Sequence, residues 1–300
     1  MRPIREFVLS PFDIVVSATR KLSRIVPDKL YIKLLFRGRM GYWPNLKNPQ
    51  TYSEKLQWLK LYDRNPLYTT MVDKYAVKNY VAEKIGIKYI IPTLGVWNRP
   101  EDIDWDTLPD QFVLKCTHDS GGLVICKDKS GLDKAAAIDK LRTSLNRNYY
   151  LEKREWPYKN VPRRIIAEHY LEDEFGELRD YKFFCFNGVA KILFIATDRQ
   201  RKSEETKFDF FDEQFNHLDF RNGHPNADIP PSKPRSFEEM KILANKLSEN
   251  IPQVRVDFYE VNGKVYFGEL TLFHWSGMKP FDPNEWDLRL GQMIQLPFMK

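Results

Sequence analysis

The chain has 300 residues, of which 42% are hydrophobic, 29% charged and 14% aromatic, with 14 Gly, 19 Pro, 3 Cys and a net charge of +6. That profile excludes collagen-like, disordered and disulfide-scaffold chains, and it leaves one large domain or two smaller ones. Folding at this length buries roughly three quarters of the unfolded surface, so the core needs no metal or disulfide to hold it.

The charge is local. Residues 1–40 hold Arg2, Arg5, Arg20, Lys21, Arg24, Lys29, Lys33, Arg37 and Arg39 against Glu6, Asp13 and Asp28, which is the whole excess. The rest of the chain is neutral, so no nucleic-acid footprint runs along it. The basic residues are interleaved with Phe7, Ile14, Val15, Val16, Leu22, Ile25, Val26, Leu30 and Leu34. This mixture reads either as an amphipathic helix packed on the domain or as a peripheral contact with an anionic membrane. The apolar run 7–16 is interrupted by Pro11 and Asp13, and no run of 18 apolar residues follows, so nothing is expected to span a bilayer.

Residues 51–90 read as helical. Thr51-Tyr52-Ser53-Glu54 is a capping box, Leu56, Leu59, Lys60 and Tyr62 follow at helical spacing, and a second helix fits 72–85, closed by Gly86. The period then changes to two. Strands are expected at 111–117 and 123–127, joined by His118-Asp119-Ser120-Gly121-Gly122, with a helix at 135–146. Cys116, Cys126 and Cys185 form no CxxC pair and no signal-peptide pattern opens the chain, which predicts free thiols in a cytoplasmic protein.

Further strands fit 164–171, 178–186 and 189–197, the last two joined by the hairpin signal Asn187-Gly188. A polar, Pro-rich stretch at 198–234 holds one aromatic strand, 207–212. Ser236-Phe237-Glu238-Glu239 is a second capping box, and Met240, Leu243, Ala244 and Leu247 form the buried stripe of its helix. A hairpin, 254–261 and 264–271, closes the pattern. The mixture is α+β, with two lobes meeting near residue 160: a basic helical segment 1–70, a first lobe 71–160 and a second lobe 161–300.

Four constellations carry chemistry. Lys115 sits on a strand just before the Ser120-Gly121-Gly122 loop, which reads as a hairpin turn or as a phosphate cradle of backbone N–H groups. Asp257 and Glu269 lie on paired strands. A strict two-residue turn at Asn262-Gly263 sends them to opposite faces, whereas a three-residue loop brings them together, where Mg²⁺ would suit them. The strand of Ile165 to Glu168 runs into acids and offers an edge to a heterocycle. Asp73-Lys74-Tyr75 opens a helix, with Lys78 one turn on.

In that order these features resemble the ATP-grasp superfamily. More narrowly, NPQTYSEKLQWLKLYD, MVDKYAVKNYV, FVLKCTHDSGG, AEHYLED, DYKFFCFNG and VRVDFYEVNGKVYFGELTLFHWSGM resemble the TupA-like ATP-grasp family of surface-polysaccharide clusters, over about residues 45–300. The resemblance implies an ATP-grasp fold whose two lobes close on ATP. It implies Lys74 and Lys115 on the phosphates and Ser120, Gly121 and Gly122 over them. Glu168, His169, Tyr170 and Leu171 then lie at the adenine, Lys182 near the γ-phosphate, and Asp257 and Glu269 on Mg²⁺. Thr271 stands where many relatives have Asn. Ser276 and Gly277 match the acyl-acceptor position, and Arg255 joins Lys115 and Lys182 as an expected catalytic cation.

The implied activity is an ADP-forming carboxylate–amine ligation through an acyl phosphate, joining an amino acid or other amine to the uronic-acid carboxylate of a sugar or glycan. A basic start that bound lipid would place it at the inner face of the plasma membrane. A sugar or glycan kinase using the same ATP site is the nearer alternative. A glycosyltransferase is the other, because Asp102-Ile103-Asp104-Trp105-Asp106 has DxD spacing, although no apolar strand precedes it. In a non-catalytic binding module the two acids would be dispensable. The five His show no zinc spacing.

Overall fold

A computed structural model describes residues 11–173, 176, 178–198 and 205–297. Arg2, Arg5, Glu6 and Phe7 of the basic segment, the side chains of Asp13, Ile14 and Val15, and part of the polar stretch after Asp198 lie outside the described residues. Helices α1 (Pro11–Lys21) and α2 (Asp28–Met40) form an N-terminal hairpin. It packs Val16, Tyr31, Ile32, Leu35 and Phe36 with Met278.

Helix α3 (Tyr52–Tyr62) begins at the expected capping box: Thr51 Oγ1 accepts from the Glu54 N–H at 3.2 Å and the Glu54 carboxylate accepts from the Thr51 N–H at 3.4 Å. The single helix expected over 72–85 is instead two, α4 (Leu67–Val72) and α5 (Ala76–Ile85). Asp73 makes the break. Its Oδ1 accepts from the N–H groups of Tyr75 (2.9 Å) and Ala76 (3.3 Å), a side-chain substitute for helix bonds, while the Lys74 N–H donates to the Thr117 carbonyl at 3.1 Å. Lys74 therefore lies in the break and is tied to the strand beside it. Gly86 ends α5 at φ +110°, a conformation only glycine adopts freely.

The small sheet has four antiparallel strands in the order β1-β4-β2-β3: β1 (Thr93–Trp97), β2 (Phe112–Cys116), β3 (Leu123–Cys126) and β4 (Ile165–His169). Between β3 and β4 the chain forms α6 (Lys134–Asn146) and α7 (Tyr149–Lys153). Ala137 and Leu141 of α6 close a core with Phe112, Leu114, Val124, Ile165 and Ala167.

The large sheet has six antiparallel strands in the order β10-β9-β5-β6-β7-β8. They are β5 (Asp180–Phe186), β6 (Val189–Thr197), β7 (Lys207–Phe211), β8 (His217–Leu218), β9 (Gln253–Val261) and β10 (Lys264–Thr271). Helix α8 (Phe237–Leu247) precedes β9, and α9 (Glu285–Met293) packs on α3. Residues of α3, α4, α5 and α8 share one core with this sheet.

The architecture is α+β, but the two sheets do not divide the chain at residue 160. β4 pairs with β1 and β2, so the small sheet extends to His169, and Val77 and Val81 of the expected first lobe pack in the core of the large sheet. The second capping box also fails to form. The Ser236 N–H donates to Glu260 Oε2 at 2.9 Å, and Glu239 Oε1 accepts from Tyr89 Oη at 2.7 Å, so both groups are spent on tertiary contacts.

Candidate active site

Three adjoining cavities form a trench between the sheets. The middle one, about 270 Å³, is lined by Lys74, Lys78, Lys115, the loop 119–122, Glu168, Asp180, Lys182 and Glu269. It shares Lys115, Leu123, Glu168, Asp180 and Tyr259 with an apolar cavity of about 260 Å³ walled by Ile91, Val113, Ile125 and Leu178, where His169, Tyr170 and Leu171 also lie. On the other side it shares Lys74, Asp119, Ser120, Lys182 and Glu269 with a cavity of about 480 Å³ that holds Tyr149, Lys153, Glu155, Phe208, Trp275 and Ser276. A cationic middle thus joins an apolar end to a mixed aromatic and charged end.

The loop between β2 and β3 closes where Lys115 pairs with Leu123. Leu123 N–H donates to the Gly121 carbonyl at 2.9 Å, and Cys116 N–H to the Gly122 carbonyl at 3.2 Å. Among the described residues the N–H groups of Ser120, Gly121 and Gly122 donate to no backbone carbonyl, and all three residues line the middle cavity. Gly121 sits at φ +112°. A Cβ on Gly122 would lie 1.9 Å from Ser144 Oγ, so only glycine lets α6 approach the loop this closely. Behind it the buried Asp119 carboxylate accepts from Ser144 Oγ, and Arg147 donates to the Ser120 carbonyl at 3.1 Å. Lys74 Nζ reaches the Asp119 carbonyl.

Glu168 holds two of the cations. Its carboxylate pairs with Lys78 at 2.5 Å and with Lys115, and Lys78 also donates to the Ile91 carbonyl and to Thr93 Oγ1, both at 2.8 Å. Burial alone would raise the Glu168 carboxyl, but Lys115 and Lys78 outweigh it and hold the group below the usual carboxylate range. Glu168 lines the apolar cavity together with His169, Tyr170 and Leu171, and there its carboxylate meets Lys78 and Lys115.

The β9–β10 hairpin closes on the shorter of the two turns considered, yet it brings the two acids onto one face. Val261 pairs with Lys264, so Asn262-Gly263 is the strict two-residue turn, with φ of +51° and +74°. A bulge at Gly268 then shifts the register, and Glu269 lies opposite Asp257, on the same face. A Cβ on Gly268 would meet the Asp257 carbonyl at 3.1 Å. Across β5, Lys182 pairs with Asp257. Lys182, Asp257 and Glu269 thus form a row across the sheet, and Arg255 and Thr271 form the next pair along it.

Arg255 ties these groups together. Its Nη2 lies 2.6 Å from Asp257 Oδ2, 2.9 Å from Glu269 Oε1 and 3.0 Å from Thr271 Oγ1, so three oxygens converge on one cationic nitrogen. Asp257 is fully buried, and Lys182 also contacts its Oδ2. Its oxygens accept from Arg255 and Lys182. The set nevertheless fits a hard divalent cation in chemistry: two carboxylates and a hydroxyl are what Mg²⁺ takes beside phosphate oxygens. Among the described residues no group of three or more His, Cys, Asp or Glu converges. Burial pushes the Lys182 ammonium down, while on Arg255 the pull of Asp257 outweighs burial and raises the group.

His274 supports Arg255 from behind. Arg255 Nη1 donates to its Nδ1 at 2.7 Å, and Asn222 Oδ1 lies 3.0 Å from its Nε2, which fixes a neutral ring with the proton on Nε2. Burial and the two cations hold its pKa well below the ordinary histidine value.

Ser276 lies in a left-handed turn, with Trp275, Ser276 and Gly277 at φ of +49°, +59° and +61°. Ser276 lines the third cavity, but Gly277 faces the other way, where a Cβ would lie 2.5 Å from Gln57 Nε2. Sequence reasoning missed what holds this turn. Lys60 of α3 is buried and donates to the Ser276 carbonyl (2.7 Å) and hydroxyl (2.6 Å). Burial pushes its ammonium down to about 7. Glu155, Asp180 and Trp275 were missed as well, and no local pattern marks them. The DxD segment lies apart: Asp102, Asp104 and Asp106 are exposed, and Asp104 Oδ1 accepts from the Asp106 N–H at 3.2 Å in a local turn.

A model of the TupA-like ATP-grasp family matches residues 54–295. No curated protein matches the chain. Among solved structures it is similar to a D-alanine–D-alanine ligase from Bacillus anthracis, at 17% identity over 68% of this chain and 57% of that one, with a TM-score of 0.38. The enzyme of that name from Helicobacter pylori gives 15% identity over 83% and 68%, with a TM-score of 0.46. A RimK domain ATP-grasp protein from Sphaerobacter thermophilus DSM 20745 gives 11% over 78% and 70%, with a TM-score of 0.43. The chain therefore spans little more than half the length of the first of these. With the family's pattern running through residues 54–295, from α3 to the residues that follow α9, the chain belongs to the TupA-like ATP-grasp family.

Proposed function

We propose that the chain is an ADP-forming carboxylate–amine ligase that works through an acyl phosphate, with a uronic-acid carboxylate of a sugar or glycan and an amino acid as its substrates. The observation that carries this reading is the trench itself, whose cationic middle opens on one side to an apolar cavity and on the other to a charged, aromatic one. The apolar cavity suits an adenine beside His169, Tyr170 and Leu171. The amides of Ser120, Gly121 and Gly122, with Lys74, Lys115 and Lys182, suit a triphosphate.

Phosphoryl transfer needs positioning and charge neutralisation more than covalent chemistry. Mg²⁺ would be held by Glu269, Thr271 and Asp257, and when bound it would neutralise the phosphates. Arg255 would then meet the charge that develops on the transferred group, and His274 would keep the guanidinium in place. Ser276, in the third cavity, would orient the acceptor. Lys74 touches both the middle and third cavities and would keep the acid and the nucleotide in register.

The test is ADP release from MgATP with glucuronate or galacturonate, in the presence of hydroxylamine. The reading predicts a carboxylate-dependent hydroxamate. A phosphate ester in its place would favour the sugar kinase.

A further inference from the structure

The turn between α1 and α2 carries a surface that the trench does not use. Arg20, Lys21, Arg24 and Lys29 are all exposed. Between them Leu22, Ile25 and Leu30 are 49%, 75% and 50% exposed, three bare aliphatics within nine residues. Asp28 is the one acid in residues 20–30, and it is half-buried and already paired. Its carboxylate pairs with Arg154 Nε at 2.8 Å and accepts from Tyr150 Oη at 2.7 Å. Arg154, itself buried, also donates to the carbonyls of Ser23 and Val26 and stacks 4.0 Å from the Tyr31 ring. The turn is therefore fixed on the body of the protein and presents cations and aliphatics, with the charge of its one acid matched by Arg154.

We propose that this turn docks on a bilayer containing anionic phospholipid, with Leu22, Ile25 and Leu30 entering the acyl boundary and the four cations meeting the phosphates. Three aliphatics with no exposed aromatic among them offer nothing to stack on a base, so a nucleic acid is the poorer fit. The contact does not depend on the ligase reading, but it bears on it. Tyr31 Oη of α2 donates to the Glu152 carbonyl at 2.9 Å, and α7, which contains Glu152, carries Tyr149 and Lys153 into the third cavity. Docking would bring the third cavity to the same side of the protein as the membrane.

The experiment is co-sedimentation of the full chain with vesicles of phosphatidylcholine alone or mixed with phosphatidylglycerol. The wild type should bind only the mixed vesicles, and each of Arg20→Gln, Lys21→Gln, Arg24→Gln and Lys29→Gln should weaken binding by about fivefold. The triple variant Leu22→Ser, Ile25→Ser, Leu30→Ser should lose more than about tenfold with an unchanged melting temperature. No binding to the mixed vesicles overturns the proposal. So does a triple variant that binds as well as the wild type, or a DNA duplex that binds as tightly as the vesicles. A MgATP titration of the same variants, expected to match the wild type, separates this surface from the nucleotide site.

Discussion

Replacing Glu168 by Gln removes one charge that serves two lysines. Glu168 is 4% exposed, and the side chains of its partners Lys78 and Lys115 are 11% and 19% exposed, so both pairs sit where water screens them poorly. Breaking a buried pair by deleting one partner costs about 3–5 kcal/mol. Lys78 keeps the Ile91 carbonyl and Thr93 Oγ1, which puts the cost at the lower end, about 3 kcal/mol. A chain of this size shifts by about 2 °C per kcal/mol, so thermal unfolding at pH 7 should fall by about 6 °C. Because the folded carboxyl is held below its unfolded value, this stabilisation is present above the unfolded pKa and is lost as pH falls through the folded one. The deficit of Glu168→Gln should therefore shrink below about pH 4. In a cycle with Lys78→Met, the double variant should be less than additive by about 1 kcal/mol or more. A Glu168→Gln melting temperature within a degree of wild type at pH 7 would refute the reasoning.

Other expectations follow from single features. His274 is buried neutral with its pKa well below the ordinary value, so the unfolded chain gains a proton below pH 6.5 that the folded chain refuses. Urea melts should show about 1 kcal/mol of stability lost at pH 5.5 from this group, absent in His274→Asn. Gly122→Ala puts a Cβ against Ser144 and should cost about 1–3 kcal/mol, seen in the same melts, and should weaken MgATP binding as the loop shifts. The free thiols Cys116, Cys126 and Cys185 are buried, and burial raises Cys116 to about 11 and Cys185 to about 12. Ellman's reagent should label none of them in the native chain and all three in guanidinium.

What could be read from the sequence was what neighbouring residues decide among themselves. The Thr51–Glu54 box, the Asn187-Gly188 turn and most strands are of this kind, and the order of the motifs led to the family. Ser236 and Glu239 have the same pattern as Thr51 and Glu54, yet Glu260 and Tyr89, distant in sequence, take both groups. The row of Lys182, Asp257 and Glu269 is within reach of the sequence, since Gly268 inside a strand is a bulge signal and a bulge reverses the parity that a two-residue turn sets. Lys60 falls at helical spacing with Leu56 and Leu59, but that spacing does not name its partner, and only the fold shows it buried against Ser276. The pairing of Glu168 is equally invisible, because its partners Lys78 and Lys115 come from two other elements.

The most direct test of the central claim, that the trench is a nucleotide site, is a thermal-shift titration with MgATP, MgGTP and UDP-sugars on the wild type and on Lys115→Ala. MgATP at 100 times its dissociation constant should add about 2.7 kcal/mol, a rise of about 5 °C, and Lys115→Ala should lose most of it. Stabilisation by a UDP-sugar with no response to MgATP would contradict the account and point to the glycosyltransferase instead.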